Sequence, residues 1–255
     1  MGNIQKLDEL VEQYQIAKLS SLPPVQRTLE LARGMYELRT LFTEEFVNRT
    51  FMPLRGTKLG FRTDRDNEPR DKQYSWEIVR DCIIDCLLRG FYPINNELNV
   101  IGGNPYYTKE AFDRVVPDFE GLSQLEITRG VPQPGSDNTS LVPMRATWLL
   151  HGRPHALICE LETAPGGVQI DRRIPVRVNS GMGVDAVLGK AHRKLLARVY
   201  ERLTKWRFTV EGEDEGEVIE TEADEAVAGD DPVANLIGRQ ASKAKADERV
   251  PGQKG

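Results

Sequence analysis

The chain opens with apolar residues at helical spacing: Ile4, Leu7, Leu10, Val11, Tyr14 and Leu19 recur every three or four positions. This predicts a helix over residues 3–19, stopped by Ser20-Ser21-Leu22-Pro23-Pro24. A second helix is expected from Val25 to Val47, with Leu29, Leu31, Ala32, Met35, Leu38, Leu41 and Phe42 as its apolar positions. The two could pack on a core of their own or against a neighbouring subunit. Residues 54–72 lose the period, and Gly56, Gly60 and Pro69 break helix, so a loop is expected. The period returns in "SWEIVRDCIIDCLLRG", with Ser75 as N-cap, Glu77 in the first turn and Gly90 as the stop. Ile78, Val79, Cys82, Ile83, Cys86 and Leu87 form the stripe that this helix should bury.

Beyond this helix the pattern becomes that of strands. "NELNVIGGNPYYT" reads as a hairpin turning at Gly102-Gly103-Asn104. A short helix, "KEAFDRVV", follows, with Thr108 placed to cap it and Pro117 beyond it. "LSQLEITRGV", "VPMRATWLLHG" and "HALICELET" read as strands, the last two joined at "HGRP". Pro165-Gly166-Gly167 then turns the chain into "QIDRRIPVRVN". Polar and apolar residues alternate in Arg145-Ala146-Thr147-Trp148 and in Ile174–Val178, which fits an antiparallel sheet with one wet face. A final helix is expected over residues 183–206. The expected fold class is α+β: an antiparallel sheet with a hairpin, packed against a long basic C-terminal helix and preceded by N-terminal helices. The expected divisions are N-terminal helices at 1–50, a core domain at 51–210, an acidic disordered linker at 211–231 and a tail at 232–255.

Charge sharpens this picture. The 255 residues carry a net charge of −5, but unevenly. Residues 211–231 hold 11 acidic residues and no Lys or Arg, whereas residues 172–207 hold 10 basic residues against Asp185 and Glu201. A basic segment followed by an acidic one points to a polyanionic partner. No apolar run approaches the ~20 residues of a membrane span, and the charged N-terminal stretch does not read as a signal peptide, so a cytoplasmic protein without membrane contact is expected. Three cysteines give no disulfide framework and read as small buried residues; His151, His155 and His192 lack metal-site spacing, so no metal is expected.

Gly181, Gly183 and Ala186 match the spacing of a dinucleotide-binding turn. The flanks argue against one. The preceding strand carries Arg172, Arg173, Arg177 and a proline, and no further strand–helix units follow, so no cofactor is expected. On a helical wheel, Val184, Leu188, Ala191, Leu195, Val199 and Leu203 share one face. Lys190, Lys194, Arg198 and Arg202 follow at i, i+4 spacing on the other side, extended by Arg193 and Lys205 and interrupted only by Glu201. With Arg172, Arg173 and Arg177 from the strand, these cations could line a groove for a phosphate backbone, aided by the helix N-terminus. Tyr106 and Tyr107 are candidates for stacking on bases, and Lys109, Arg62, Lys58 and Arg65 for secondary phosphate contacts. No Ser-elbow, phosphate-loop or zinc-protease motif is present. Glu160, Glu162 and Asp171 could form the cluster of a metal-dependent nuclease, but they lack an adjacent lysine and read better as a solvated row. No catalytic residue is assigned.

The order of elements is also informative. The helix "RDCIIDCLLRGFYP", the strand–turn–strand "NELNVIGGNPYYT", the helix "KEAFDRVV", several antiparallel strands and the basic helix "GKAHRKLLARVYERL" together resemble the RecT/Red-beta class of phage single-strand annealing proteins. The segment "IPVRVNSGMG" with the basic residues after it is similar to the wider ring-forming superfamily of recombination mediators. The resemblance covers roughly residues 75–207. It implies ATP-independent annealing of complementary single-stranded DNA on a homo-oligomeric ring or helical filament, in a bacterial host and from a phage or prophage. By match it makes Lys190, Arg193, Lys194 and Arg198 backbone contacts, with the turn at Tyr106–Lys109 nearby. It also implies an exonuclease and a host single-strand-binding protein as partners, with residues 232–246 as the docking candidate. The long N-terminal helices and the acidic linker depart from the common pattern. A non-annealing replication or repair accessory protein is the alternative.

Overall fold

The structure is a computed structural model that describes residues 2–207. The acidic linker and the tail expected at 232–255 therefore lie outside the described residues. The described chain is α+β, with antiparallel sheets, N-terminal helices and a long C-terminal helix.

Each expected N-terminal helix is split. The first becomes α1 (Gly2–Tyr14) and α2 (Ile16–Leu19); the second becomes α3 (Pro24–Leu41) and α4 (Glu44–Thr50). Thr43 causes the second break, because its side-chain oxygen accepts from the Phe46 N–H at 3.3 Å, with Glu44 and Glu45 in the turn that follows. The break lets Phe42, Phe46 and Phe51 meet, with ring centroids 5.3 to 5.9 Å apart. α1 crosses α3 at Gly34, where a Cβ would lie only 2.6 Å from the Tyr14 ring. Leu10, Tyr14, Leu38, Phe42 and Val47 are buried in the same core as α5 (Trp76–Leu88). The N-terminal helices thus share the main core and do not form one of their own. One face of α3 stays uncovered, with Val25, Leu29 and Tyr36 at 74%, 66% and 73% exposure.

A small sheet packs on α5. It comprises β1 (Arg62–Thr63), β2 (Leu98–Ile101) and β3 (Asn104–Tyr107), with β1 parallel to β2 and β2 antiparallel to β3. β1 lies within the segment expected to be a loop, because two residues are too few to show a strand period. The β2–β3 turn uses Gly102 and Gly103, both at positive φ, as the hairpin requires. In α6 (Lys109–Val115), Thr108 stands at the N-cap but its hydroxyl donates to the Asn96 carbonyl at 2.7 Å and does not cap the helix.

The main sheet has three positions. β4 (Leu122–Arg129) leads into β5 (Gln133–Pro134), and β6 (Thr139–Val142) into β7 (Met144–Leu150), forming one long antiparallel pair; the Gly130 N–H donates to the Pro143 carbonyl at 2.8 Å between the two halves. The third position is shared by β8 (Arg153–Cys159), which pairs with β7, and β11 (Ile174–Arg177), which pairs with β6. Between them the chain leaves the sheet as an arm of β9 (Leu161–Thr163) and β10 (Gln169–Asp171), closed at its base by the Arg172 N–H on the Glu160 carbonyl at 3.1 Å. Prolines 154 and 175 fit this third position because it is a sheet edge, where a missing N–H breaks no ladder.

α7 (Val184–Thr204) lies between this sheet and a layer formed by α5, α6 and the β2–β3 hairpin. Toward the sheet it buries Ala191, Leu195 and Val199; elsewhere Tyr200 stands 5.4 Å from Phe91 and 6.2 Å from Phe112 between ring centroids. The Tyr200 hydroxyl donates to the Arg89 carbonyl at 2.7 Å. A helix packed on two sides buries more than one stripe. Val184, by contrast, is 62% exposed, so the expected apolar face does not extend to the helix start.

Candidate nucleic-acid interface

The basic row on α7 runs beside the sheet edge. Lys194 Nζ donates to the Pro175 carbonyl at 3.0 Å, Arg198 reaches Cys159 Sγ at 3.5 Å, and Arg202 donates to the Ala156 carbonyl at 3.1 Å. Lys190, half-buried, continues the row toward the helix start. From Lys190 to Arg202 the row rises about 18 Å along the axis. The three contacts fix the aliphatic stems along β8 and β11 and add hydrogen bonds to an otherwise open edge. The acceptors are two carbonyls and a thiol, which carry no formal charge, so these three bonds leave the cationic charge of the row in place.

Arg193 is a different case. It was expected to extend the row, but it is 6% exposed, its guanidinium lies 4.5 Å from the centre of the Tyr106 ring, and Nη1 donates to the Tyr107 carbonyl at 3.5 Å. Both expected stacking tyrosines are engaged inside the molecule. Tyr106 has one ring face under Arg193, and Tyr107 is buried, with its hydroxyl on Asp85. Burial pushes the Tyr107 phenol well above its usual range, and Asp85 adds to this. The pair therefore joins α7 to β3 and does not present a stacking platform.

The strand cations do not form a groove with the row. Burial alternates along β11, with Ile174 and Val176 inward, so exposed Arg177 belongs to the opposite sheet face. Arg173 is held by Asp171 at 2.6 Å and Arg172 by Glu162 at 3.5 Å, both at the arm. Lys109 pairs with Asp113 at 3.4 Å. Arg62 and Lys58 are exposed, with Arg62 on β1, the strand across the small sheet from β3. Arg65 packs over the Tyr74 ring at 4.7 Å. The structure thus groups Lys190, Lys194, Arg198 and Arg202, brings Arg172 near enough to act on the Cys159 thiol together with Arg198 and Arg202, and disperses the other sequence-derived candidates.

The carboxylates considered for a nuclease centre each have an arginine: Glu160 meets Arg145 at 3.2 Å, Glu162 meets Arg172 and Asp171 meets Arg173. Among the described residues, no group of three or more His, Cys, Asp or Glu side chains is placed to hold a metal ion, and no helix is long and apolar enough to cross a membrane. At the glycine turn, Gly181 takes a φ of +83° and Gly183 precedes α7, but the strand before it pairs antiparallel with β6 and not as a parallel crossover. The three cysteines are buried and free, and burial pushes the Cys82 thiol up to about 12 and that of Cys159 upward despite the pull of Arg198.

Sequence reasoning missed the buried charges behind α7. Glu97, almost fully buried, pairs with Arg114 at 2.6 Å and accepts the Tyr92 N–H at 3.0 Å. Arg89 and Asp85 pair at 2.7 Å; burial opposes the Arg89 charge, but Asp85 and Tyr107 more than offset it and hold its pKa above the usual value. On α7 itself, His192 Nε2 lies 2.8 Å from Asp113 and Nδ1 lies 3.2 Å from Arg129, linking α6, α7 and β4. Leu196 and Tyr200, outside the expected apolar stripe, were the sequence signal that this helix packs on more than one side. No protein-family profile, curated protein or solved structure matches the chain.

Proposed function

We propose that this protein binds single-stranded DNA and anneals complementary strands without nucleotide hydrolysis, as a homo-oligomer and without catalytic residues. One observation carries the reading: Lys190, Lys194, Arg198 and Arg202 form a row about 18 Å long beside the edge of β8 and β11, where Lys194, Arg198 and Arg202 reach the Pro175 carbonyl, Cys159 Sγ and the Ala156 carbonyl. Such a row neutralises backbone phosphates, which gives affinity without sequence preference and with strong salt dependence. The element order that resembles the RecT/Red-beta class supports annealing over binding alone. The uncovered α3 face with Val25, Leu29 and Tyr36 supports self-association, since exposed apolar patches mark contact surfaces. A phage or prophage origin, with exonuclease and host single-strand-binding partners, belongs to the same proposal.

Replacing Lys190, Lys194 and Arg198 together by Ala tests it. Single-strand binding and annealing should be lost while the unfolding midpoint stays near that of the parent chain. Normal annealing by the variant would remove the row from the function. Strand binding by the parent chain without faster annealing would favour the accessory-protein reading.

A further inference from the structure

We infer that the imidazole of His155, backed by the indole of Trp148, is the platform on which a base of the bound single strand stacks. The inference rests on the proposed binding role of the α7 row and adds a contact that the row cannot make, one with a base. The mapped contacts of the row advance along the sheet edge in order. Lys194 donates to Pro175, whose register partner is Leu141; Arg198 reaches Cys159, opposite Met144; Arg202 donates to Ala156, opposite Thr147. Each step is three register positions, about 10 Å of strand. His155, opposite Trp148, is the next residue on this line.

Side chains alternate across a strand, so His155 falls on the same face of β8 as buried Leu157 and Cys159, the face that Arg198 approaches from α7. α7 ends at Thr204, and His155 stays exposed beside the Arg202 end of the row, whereas Trp148 is only 3% exposed. The two rings stack, with centroids 5.7 Å apart and planes 12° apart. A buried indole thus fixes the plane of an exposed imidazole. Stacking on a ring that is already held flat costs little side-chain ordering, and it tolerates any base because every base has a π-face. Arg202 uses Nη1 on the Ala156 carbonyl, next to His155. A guanidinium has five N–H donors, so that bond is compatible with a phosphate on the same side chain. One nucleotide could then set its phosphate on Arg202 and its base on His155. With Tyr106 and Tyr107 engaged inside the molecule, this pair supplies the flat surface that single strands require. A phosphate-binding row accepts any polyanion; a stacked base makes the site one for nucleic acid.

The test uses the full chain and two fluorescent oligomers of equal length and charge, a thymidine oligonucleotide and its fully abasic counterpart, compared by anisotropy at low salt. The parent chain should bind the thymidine oligomer about tenfold more tightly, as one stacked base provides. His155→Ala should erase that preference. It should leave the abasic affinity within about twofold and the slope of log affinity against log salt unchanged, because the row is intact. His155→Phe should restore the preference. Equal affinity of the parent for both oligomers would overturn the inference and leave the row's role standing, as would a preference that survives His155→Ala. Loss of abasic binding along with the preference would make His155 a structural residue and would also overturn it. A parent chain that binds neither oligomer would reject the proposed function itself, and the stacking with it.

Discussion

Arg193 and Lys194 are adjacent in the chain, yet they belong to two regions with opposite physics. Arg193 points into the layer behind α7, where it stacks on Tyr106 beside the Asp85–Arg89 and Glu97–Arg114 pairs. Lys194 lies along the sheet edge with Arg198 and Arg202, its ammonium donating to the Pro175 carbonyl. In the first region each charge has a partner and removing one leaves a buried group uncompensated. In the second the cations lie along a sheet edge, half-buried at Lys190, Lys194 and Arg198 and exposed at Arg202. The difference teaches that a count of basic residues on a helix does not measure the charge it offers a ligand; a residue buried in the layer behind the helix, as Arg193 is, is withdrawn from that count.

Breaking the buried region should have the largest effect on stability. Arg114→Met leaves the Glu97 carboxylate buried without its partner and should cost about 3–5 kcal/mol in urea unfolding. A loss below about 1 kcal/mol would mean that the pair behaves like a surface contact. Next, the neighbours on α7 should part company. Arg193→Met should destabilise by about 2 kcal/mol through the lost stacking on Tyr106 and the lost hydrogen bond to the Tyr107 carbonyl. Lys194→Met should stay within about 0.5 kcal/mol while weakening single-strand binding. Equal stability losses at the two positions would erase the distinction.

The smallest effect concerns His192. Burial holds its imidazole below the ordinary value, with Asp113 opposing and Arg129 and Lys109 reinforcing. The folded state therefore binds fewer protons than the unfolded chain near neutrality, and stability rises with pH. The contribution should be complete above the ordinary value of about 6.5 and should fall as the pH drops from there through the lowered native pKa. His192→Gln should flatten that part of the profile, measured as denaturation midpoint against pH. An unchanged slope would show that other groups set it.

Much of the architecture was legible because single-sided burial leaves a period. α5, both hairpin turns, the alternating strand β7 and the extent of α7 all follow from spacing. The splits at Gln15 and Phe42 were hidden because apolar residues continue across them, although Thr43 followed by Glu44 and Glu45 is a helix-start signal. β1 was too short to register. At the site, Lys190, Lys194, Arg198 and Arg202 were found by i, i+4 spacing. Arg193 was misplaced because a wheel assumes one packed face, whereas α7 has two. The strand cations could not be judged from the sequence at all: whether Arg177 faces the helix depends on sheet alternation, and whether Arg172 and Arg173 offer free charge depends on Glu162 and Asp171 across the arm.

The most direct test of the central claim is the rate at which complementary oligonucleotides anneal, measured for the parent chain, for the Lys190→Ala/Lys194→Ala/Arg198→Ala chain and for Arg193→Met under conditions where all three are folded. The account predicts rapid nucleotide-independent annealing by the parent, retention of much of it by the folded Arg193→Met chain, and loss in the triple variant. Annealing that survives the triple change but disappears with Arg193 would contradict it, and would place the working surface behind α7 and not along the sheet edge.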